Sequence, residues 1–393
     1  MRERILRLPE LSDEQFKILG KPKEGFWLLL GGPGTGKSVV VMQRLKQISA
    51  SDDAMFLAYN KVLHSYCQQV MKRSFGDQAM TKIVTSTIFR WLGEFYDQQL
   101  KQGRQLPKLP DAKSAYDIDY EMMESNVRAS GQGQVHKKVY LVVDEGQDMP
   151  EGFYNFLVSV GFENIFVAAD FNQTITERQS TREELIDALA LDNEDVLTLS
   201  ENYRNSNEIA KFSQFFYSDK STPPSNEPTR VAGFVPTLLM CKYRLHAIKL
   251  ILREADNDPR KLIGVIVGDH EDLEFYVGHL RNLGMQLDNL RPPVTTYKNS
   301  DDSVEIDFAN GGIVVLCDAS VKGLEFDVVY ICLDSIWKIK SSVDEVAFRK
   351  SMYVNASRAK EKLFLLKNQK ENRELMERLP SEPELMQIGN LDE

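Results

Sequence analysis

The chain is poor in cysteine and has neither a long apolar run nor an excess of positive charge. Its cysteines, Cys67, Cys241, Cys317 and Cys332, lie far apart, which predicts free thiols and argues against a disulfide framework or a zinc site. No apolar segment approaches membrane-spanning length, and residues 1–9 alternate charged and aliphatic side chains instead of forming a signal peptide. These absences predict a cytoplasmic protein without membrane contacts.

The net charge of −10 and the pI near 5.3 limit the kind of nucleic-acid binding that this chain supports. A protein that coats nucleic acid non-specifically needs clustered Lys and Arg to neutralise phosphates. An acidic protein can nevertheless hold a few nucleotides in one local groove. The composition therefore argues against broad coating and leaves a local nucleic-acid site open.

Short β-branched and aliphatic runs alternate with helical patterns, which predicts parallel sheets covered by helices. At 393 residues the chain is long enough for two domains. The runs form a first set at 26–30, 55–59, 83–87, 139–143 and 165–169, and a second set at 196–199, 238–241, 263–267, 313–317, 328–333 and 363–366. We expect an α/β protein with domains at 1–195 and 196–393, a small insertion at 98–138 and a Pro/Ser-rich loop at 218–228.

The strongest local signal is the glycine-rich segment Gly-Gly-Pro-Gly-Thr-Gly-Lys-Ser at 31–38. It follows a predicted strand and opens a predicted helix, the order that a phosphate-binding loop requires. Backbone N–H groups contributed by Gly31, Gly34, Thr35 and Gly36 would surround the phosphates at the positive end of the helix. Lys37 would add a point charge, and the Ser38 hydroxyl would ligate Mg²⁺. This segment predicts a nucleotide site.

An acidic pair ends the apolar run at 141–143 and supplies the second half of such a site. Asp144 would hold Mg²⁺, directly or through water, together with Ser38. Glu145 would orient or deprotonate the attacking water. Alone, an acidic pair at a strand end is more often a solvated cap, so the phosphate loop carries the assignment.

The acidic pair continues as Asp-Glu-Gly-Gln-Asp at 144–148, which resembles the Walker B box of the UvrD/Rep superfamily-1 helicases. Further segments resemble motifs of that family in the family's order along almost the whole chain: 11–15, 56–61, 85–87, 169–173, 199–204, 322–327 and 353–360. The resemblance implies two RecA-like parallel-sheet P-loop domains with the ATP site in the cleft between them. It also implies ATP and Mg²⁺ as cofactors.

The resemblance assigns nucleotide roles to seven further residues. Gln15 would read the adenine edge and Gln173 would sense the γ-phosphate. In the second domain, Tyr203 would stack on adenine, Arg204 would reach the γ-phosphate, Gly323 would allow a close backbone approach, Glu325 would bind the ribose and Arg358 would be the arginine finger. Fingers of this kind accelerate hydrolysis on the order of a thousandfold or more. The implied catalytic set is Lys37, Asp144, Glu145, Gln173, Arg204 and Arg358.

The same resemblance places single-strand contacts at Tyr59, Asn60, Thr85, Thr87 and Lys322. Phe89 and Trp91 follow the third run, where large aromatic side chains usually pack into the core. Several positions depart from the family pattern. Cys317 and Ala319 replace the usual Thr and His, and no aromatic residue follows Gln173 within 174–177.

Two interpretations of the function remain open. The first is an ATP-dependent single-stranded nucleic-acid translocase or helicase, for which the resemblance implies DNA, with RNA not excluded, and 3′-to-5′ movement. The second is an ATP-driven switch that works as a subunit with a nuclease or another partner in DNA repair or anti-phage defence. A small-molecule P-loop kinase is disfavoured because its mechanism does not require Gln173, Arg204 and Arg358 at these places.

Overall fold

The computed structural model describes residues 10–101, 103, 105–131, 138–173, 179–218, 224–284, 292–298, 303–308, 310–337, 345–369 and 372–391. The chain divides into two compact units, one ending at Ser200 and the other beginning at Glu201. Each unit is built around a parallel sheet. Within the described ranges, every helix is too short or too polar to span a lipid bilayer.

The first unit alternates strands with helices, as the sequence predicted. Its elements are α1 (Asp13–Leu19), β1 (Gly25–Gly31), α2 (Lys37–Ser49), β2 (Ala54–Ala58), α3 (Lys61–Ser74), α4 (Asp77–Met80), β3 (Ile83–Thr87), α5 (Ile88–Leu100), α6 (Tyr120–Ala129), β4 (Tyr140–Asp144), α7 (Glu151–Ser159), β5 (Asn164–Ala169), α8 (Arg182–Ala188) and β6 (Val196–Leu199). The six strands have the order β3-β2-β4-β5-β1-β6 and every pairing is parallel. All carboxyl ends therefore lie at one edge of this sheet.

The second unit repeats this architecture with seven strands. Its elements are α9 (Asn207–Phe215), β7 (Thr237–Cys241), α10 (Arg244–Asn257), β8 (Leu262–Val267), α11 (His270–Gly284), β9 (Val294–Thr296), β10 (Gly312–Cys317), β11 (Phe326–Cys332), α12 (Leu333–Ile336), α13 (Glu345–Ala356), β12 (Ala359–Asn368), α14 (Arg373–Glu377) and β13 (Gln387–Leu391). The order is β13-β7-β12-β11-β8-β10-β9, again with parallel pairing throughout. Two parallel α/β sheets confirm the predicted RecA-like fold class.

One strand belongs to a different sheet from the one predicted. The run at 196–199 was assigned to the second domain, but β6 pairs with β1 in the first sheet, with Leu28 opposite Val196 and Gly31 opposite Leu199. The acidic stretch before it is a turn within the first unit, where Asp192 and Asp195 cap a short 3-10 helix. β6 pairs with β1 because its apolar side chains are buried there. The polar stretch before β6 is therefore not the boundary between the two units.

The interiors of both sheets are apolar, as expected for parallel strands covered on both faces. In β4 every residue is buried, and in β8 the same holds from Leu262 to Val267.

Three of the four cysteines are buried and Cys317 is half-buried, and all four are free thiols, as predicted. Among the described residues, no group of three or more His, Cys, Asp or Glu side chains is placed to hold a metal ion.

The predicted insertion begins within α5 and contains α6. Between these helices the chain makes one antiparallel bridge, Lys108 to Ile118. Residues 102, 104 and 132–137 of the insertion lie outside the described residues, as do 219–223 of the Pro/Ser-rich loop and the segment 174–177.

Candidate active site

The loop between β1 and α2 has the backbone shape of a phosphate-binding loop. Gly34 and Gly36 have φ of 76° and 89°, the left-handed region that favours glycine. The Thr35 hydroxyl donates to the Gly32 carbonyl at 2.9 Å. A Cβ at Gly31 would lie 2.5 Å from the Thr35 Oγ1. The glycines therefore allow a tight curl at the amino terminus of α2, where helical N–H groups attract anions.

Lys37 and Ser38, the first residues of α2, extend the loop toward two acidic side chains. The Lys37 Nζ donates to the carbonyls of Gly31 and Gly32 at 2.6 and 3.1 Å and lies 3.5 Å from the Asp170 Oδ2. The Ser38 hydroxyl donates to the Asp144 Oδ2 at 3.1 Å. The loop is thus joined to the end of β4 by a hydrogen bond and to the end of β5 by an ion pair.

Asp144, the last residue of β4, is buried beside a second carboxylate. Burial first, and the Glu145 carboxylate second, raise the pKa of Asp144 to about 6, although Lys37 and Ser38 act in the opposite direction. A hydroxyl and a buried carboxylate form a set of hard oxygen donors, which fits Mg²⁺ because this ion keeps waters and substrate phosphates as its other ligands. Ser38 and Asp144 are therefore the residues that could hold the ion.

Glu145 occupies a strained turn. Its φ is 59° and its ψ is 40°, a left-handed conformation that costs a non-glycine residue energy and is often found at functional sites. The Gln147 Nε2 donates to the Glu145 Oε2 at 2.6 Å, and the Tyr154 hydroxyl donates to the Gly146 carbonyl at 2.5 Å. A Cβ on Gly146 would lie 2.3 Å from the Val167 Cγ1, so glycine is required there. The surrounding packing holds the turn in place.

A buried polar network connects the turn to the end of β5. The Asp170 N–H donates to the Gln147 Oε1 at 2.9 Å, and the Gln173 Nε2 donates to the Asp170 Oδ2 at 2.6 Å. The same Asp170 oxygen faces Lys37. The structure therefore brings Lys37, Glu145 and Gln173 into one network, as the proposed catalytic roles require. Sequence reasoning did not single out Asp170, although its place after an apolar run was a usable signal.

Gln15 contacts the phosphate loop itself. Its side chain is only 1% exposed. The Gln15 Nε2 donates to the Thr35 carbonyl at 3.2 Å, and the Oε1 accepts from the Ser12 N–H at 3.2 Å as part of a capping box. Both amide atoms are thus bonded to backbone, which differs from the expected pairing with an adenine edge. The Gln15 side chain therefore stabilises the phosphate loop through a hydrogen bond to the Thr35 carbonyl.

In the second unit, an ion cluster lies at the amino ends of β11 and β12. The Glu325 carboxylate accepts from the Arg204 Nε at 2.8 Å and from the Lys360 Nζ at 2.8 Å. Burial alone would raise the pKa of Glu325, but the two cations outweigh it and hold that pKa well below its ordinary value. Gly323 has a φ of 78° and Tyr203 is 49% exposed. The structure thus brings Arg204 and Glu325 together, and Lys360 is a member that the sequence did not reveal.

Arg358 lies in the turn between α13 and β12 and is buried. Its Nε donates to the Val354 carbonyl at 2.9 Å and its Nη2 to the Ser357 hydroxyl at 3.0 Å. Asn205 ties this turn to the Arg204 segment, because its Nδ2 donates to the Ser357 carbonyl at 3.1 Å. The predicted finger is therefore bonded within its own unit in this structure.

Lys322, the predicted strand contact of the second unit, is buried. Its residue exposure is only 1% in this structure, and its contact with a nucleic-acid strand stays a prediction. The lysine precedes Gly323, which has a positive φ, and the neighbouring Val321 and Leu324 are also buried.

The four predicted strand contacts of the first unit are half-buried: Tyr59 and Asn60 follow β2, Thr85 lies within β3 and Thr87 ends it. The Asn60 Oδ1 caps α3 by accepting from the Leu63 N–H at 2.7 Å, and the Thr85 hydroxyl accepts from the Gln68 Nε2 at 2.7 Å. Tyr59 packs against Phe89, and Thr87 precedes α5 without a capping bond from its side chain. Trp91 is a core residue, as expected.

Comparisons with known proteins agree with this geometry. Residues 17–179 match the family model described as AAA domain, and this segment contains the loop, the acidic pair and Gln173. The fold and the loop together define a P-loop ATPase with two RecA-like domains. No protein of curated function matches the sequence.

Among solved structures, the chain is similar to the Pif1 helicase from Candida albicans. The two share 13% sequence identity with a TM-score of 0.51, over 95% of this chain and 97% of that chain. The C-terminal domain of a possible DNA helicase from Lactobacillus plantarum WCFS1 aligns at 18% identity over 47% of this chain and 98% of its own, with a TM-score of 0.32. Arterivirus nonstructural protein 10 (helicase) aligns at 11% identity over 90% of this chain and 61% of its own, with a TM-score of 0.39. At these identities the Pif1 likeness establishes the fold.

Proposed function

We propose that the chain is an ATP- and Mg²⁺-dependent translocase or helicase that acts on single-stranded nucleic acid. One observation carries the proposal: Lys37, Glu145 and Gln173 meet in a single buried network through Gln147 and Asp170. A nucleotide bound at Lys37 would disturb the same network that holds Gln173 at the end of β5. ATP hydrolysis would thereby be linked to the strand-end segments of the first sheet, where the motif resemblance implies nucleic-acid contacts.

The chain's own residues account for the proposed hydrolysis. Lys37 and the loop N–H groups would bind the phosphates, and Glu145, held by Gln147, would orient or deprotonate the attacking water. Ser38 and Asp144 would hold Mg²⁺, which would supply neutralisation of the phosphate charge. Tyr203, Gly323 and Glu325 are proposed to bind the nucleoside, and Arg204 and Arg358 to stabilise the transferring phosphoryl group. The last two must first exchange their present partners, the Glu325 carboxylate and the Val354 carbonyl.

The UvrD/Rep assignment, DNA as the strand and 3′-to-5′ movement form the finer part of this proposal. They rest on the motif resemblance, which runs from Gln15 to Lys360. The similar fold of a Pif1 helicase supports the broader class of motor. The domain limits 1–195 and 196–393 enter the proposal with the first limit moved to Ser200, where the first unit ends directly after β6.

A displacement assay tests directed movement. Streptavidin is placed on the 5′ or the 3′ end of a biotinylated single strand, and its ATP-dependent release is measured with Lys37→Ala as the blank. Lys46→Ala, a change at an exposed lysine of the same helix, is the matched control. Release from the 5′ end alone supports 3′-to-5′ movement, and release from the 3′ end alone reverses the polarity. No ATP-dependent release at either end contradicts autonomous translocation.

A second candidate, an ATP-driven subunit that requires a partner protein, is favoured by the burial of Lys322. In addition, Cys317 and Ala319 replace two residues that contact the strand in the family pattern. Such a subunit would hydrolyse ATP without stimulation by a strand until a nuclease or another repair or defence protein is added. Hydrolysis measured with and without a strand separates the two candidates.

A further inference from the structure

Three aromatic rings form a row at the strand-end edge of the first unit. The ring centroids of Tyr59 and Phe89 are 5.9 Å apart with an interplanar angle of 74°, and those of Phe89 and Tyr116 are 4.4 Å apart with an angle of 48°. Exposure increases along the row, from half-buried Tyr59 and Phe89 to Tyr116, which is 57% exposed. The row therefore ends in a ring that is available to a further planar group.

The loop that carries Tyr116 is held by its own hydrogen bonds. The Asp117 Oδ2 accepts from the N–H groups of Lys113 and Ser114 at 2.7 and 2.9 Å, and the Ser114 hydroxyl accepts from the Tyr116 N–H at 3.0 Å. Two backbone bonds, Leu109 N–H to Asp117 O at 3.2 Å and Asp119 N–H to Pro107 O at 3.0 Å, close the loop. Tyr116 is thus presented by ordered backbone and does not contribute its ring to the core.

The aromatic row lies at the edge of the sheet that also carries the nucleotide site, where a single strand of nucleic acid coupled to that site would bind. Tyr59 directly follows β2, and Phe89 lies in the first turn of α5 directly after β3. In this parallel sheet the carboxyl ends of β2 and β3 share one edge with those of β1 and β4, which carry the phosphate loop and the acidic pair. The aromatic row and the nucleotide site therefore occupy the same edge of one unit.

The exposed side chains around the row include cations. Lys61 and Arg90 are exposed and lie within two residues of Tyr59 and Phe89 in the sequence, and exposed Lys113 lies three residues before Tyr116. Arg90 pairs with Glu94 at 2.9 Å on the helix surface. Surface ion pairs of this kind contribute little to stability, so the pair with Glu94 is a weak competitor for the Arg90 guanidinium. Stacking faces beside exposed cations are the combination that binds single strands without sequence preference.

We propose that Tyr116, supported by Phe89 and Tyr59, is a stacking surface for a base of a single-stranded nucleic acid. The inference rests on the proposed function and names a residue that no family motif contains. A base stacks on the exposed face of Tyr116, and the flanking phosphates meet Lys61 or Arg90. The loop at 105–119 of the insertion is accordingly part of the strand-binding surface.

Strand affinity measured with matched ring variants tests this assignment. A short single-stranded oligonucleotide with one 2-aminopurine is titrated with the full chain, and its fluorescence reports both binding and stacking. Tyr116→Leu keeps an apolar side chain against Phe89 but has no π face, whereas Tyr116→Phe keeps the ring. Phe16→Leu removes a ring that is 66% exposed elsewhere in the same unit. Thermal melting of each variant shows that it is folded.

The expected result is a dissociation constant raised on the order of tenfold by Tyr116→Leu, with weaker quenching of 2-aminopurine. Tyr116→Phe and Phe16→Leu should bind like the wild type. If the wild type binds the strand and Tyr116→Leu binds it equally well, the stacking role is overturned. The stacking role is also overturned if Tyr116→Phe loses as much affinity for the strand as Tyr116→Leu, or if Phe16→Leu lowers that affinity equally. Failure of the wild type to bind any strand contradicts the proposed function itself.

Discussion

The hydroxyl of Tyr154 donates a 2.5 Å hydrogen bond to the carbonyl of Gly146. This carbonyl directly follows Glu145, whose φ of 59° is held in the left-handed region. Tyr154 is fully buried on α7, so its hydroxyl is fixed by packing. The bond therefore positions the turn that carries the candidate catalytic carboxylate.

Tyr154→Phe should lower kcat for ATP hydrolysis about fivefold while leaving KM for ATP nearly unchanged. The change removes one hydrogen bond worth about 1 kcal/mol, and this bond orients Glu145 without touching the phosphate loop. Tyr120→Phe is the matched control, because Tyr120 is also buried and its hydroxyl has no hydrogen-bond partner among the described residues. Steady-state kinetics of both variants provide the check. Equal effects of the two changes on kcat would show that Tyr154 has no positioning role.

Gln15→Ala should raise KM for ATP and for GTP by the same factor, about tenfold. The reason is that the Gln15 amide bonds the Thr35 carbonyl of the phosphate loop, a contact that is indifferent to the base. Hydrolysis of both nucleotides by wild type, Gln15→Ala and the exposed control Lys17→Ala measures this. A loss confined to ATP would instead support adenine reading by Gln15.

The arrangement of the nucleotide site illustrates what sequence patterns do and do not reveal. The glycine loop and the acidic pair were predicted from local order along the chain, because strand, loop and helix are adjacent in sequence. The contact between Lys37 and Asp170 depends on β5 lying beside β1, with Leu30 opposite Ala169. Strand order in a sheet is a tertiary property, so residue spacing alone did not give this pair.

The missed strands have a similar explanation. β9 has only three residues, all half-buried, and β13 is an edge strand of mostly exposed residues with a glycine at 389. Neither gives the continuous apolar run by which buried parallel strands are recognised. β6 was found as a strand but assigned to the wrong sheet, because a run of four residues does not specify its neighbour.

Asp144→Asn should melt at a higher temperature than the wild type at pH 8 in the absence of nucleotide. The folded-state pKa of Asp144, about 6, lies above the ordinary value of 3.8. Between these two pH values the folded protein therefore binds a proton that the unfolded chain has released. The ionised Asp144 carboxylate therefore lowers the free energy of unfolding above pH 6, and this loss of stability disappears as the pH falls toward 4. Thermal melting between pH 4 and 8 provides the test, with exposed Asp53→Asn as the control. A wild type that melts higher than Asp144→Asn at pH 8 would contradict the assigned burial cost.

Glu325→Gln should lower the melting temperature at pH 7, because Arg204 and Lys360 would lose their shared carboxylate. The pKa of Glu325 is depressed in the folded state, so its contribution is present above the ordinary value of 4.5 and is lost as the pH falls below it. The difference between variant and wild type should accordingly narrow in acid. Exposed Glu271→Gln is the control, and a difference that stays constant below pH 4.5 would contradict the ion cluster.

The most direct test of the central claim is ATP hydrolysis by the purified chain with and without single-stranded DNA or RNA, with Lys37→Ala as the blank. The account predicts Mg²⁺-dependent hydrolysis that a strand stimulates strongly and that Lys37→Ala abolishes. Hydrolysis that no strand changes, or none until a partner protein is added, would contradict an autonomous nucleic-acid motor.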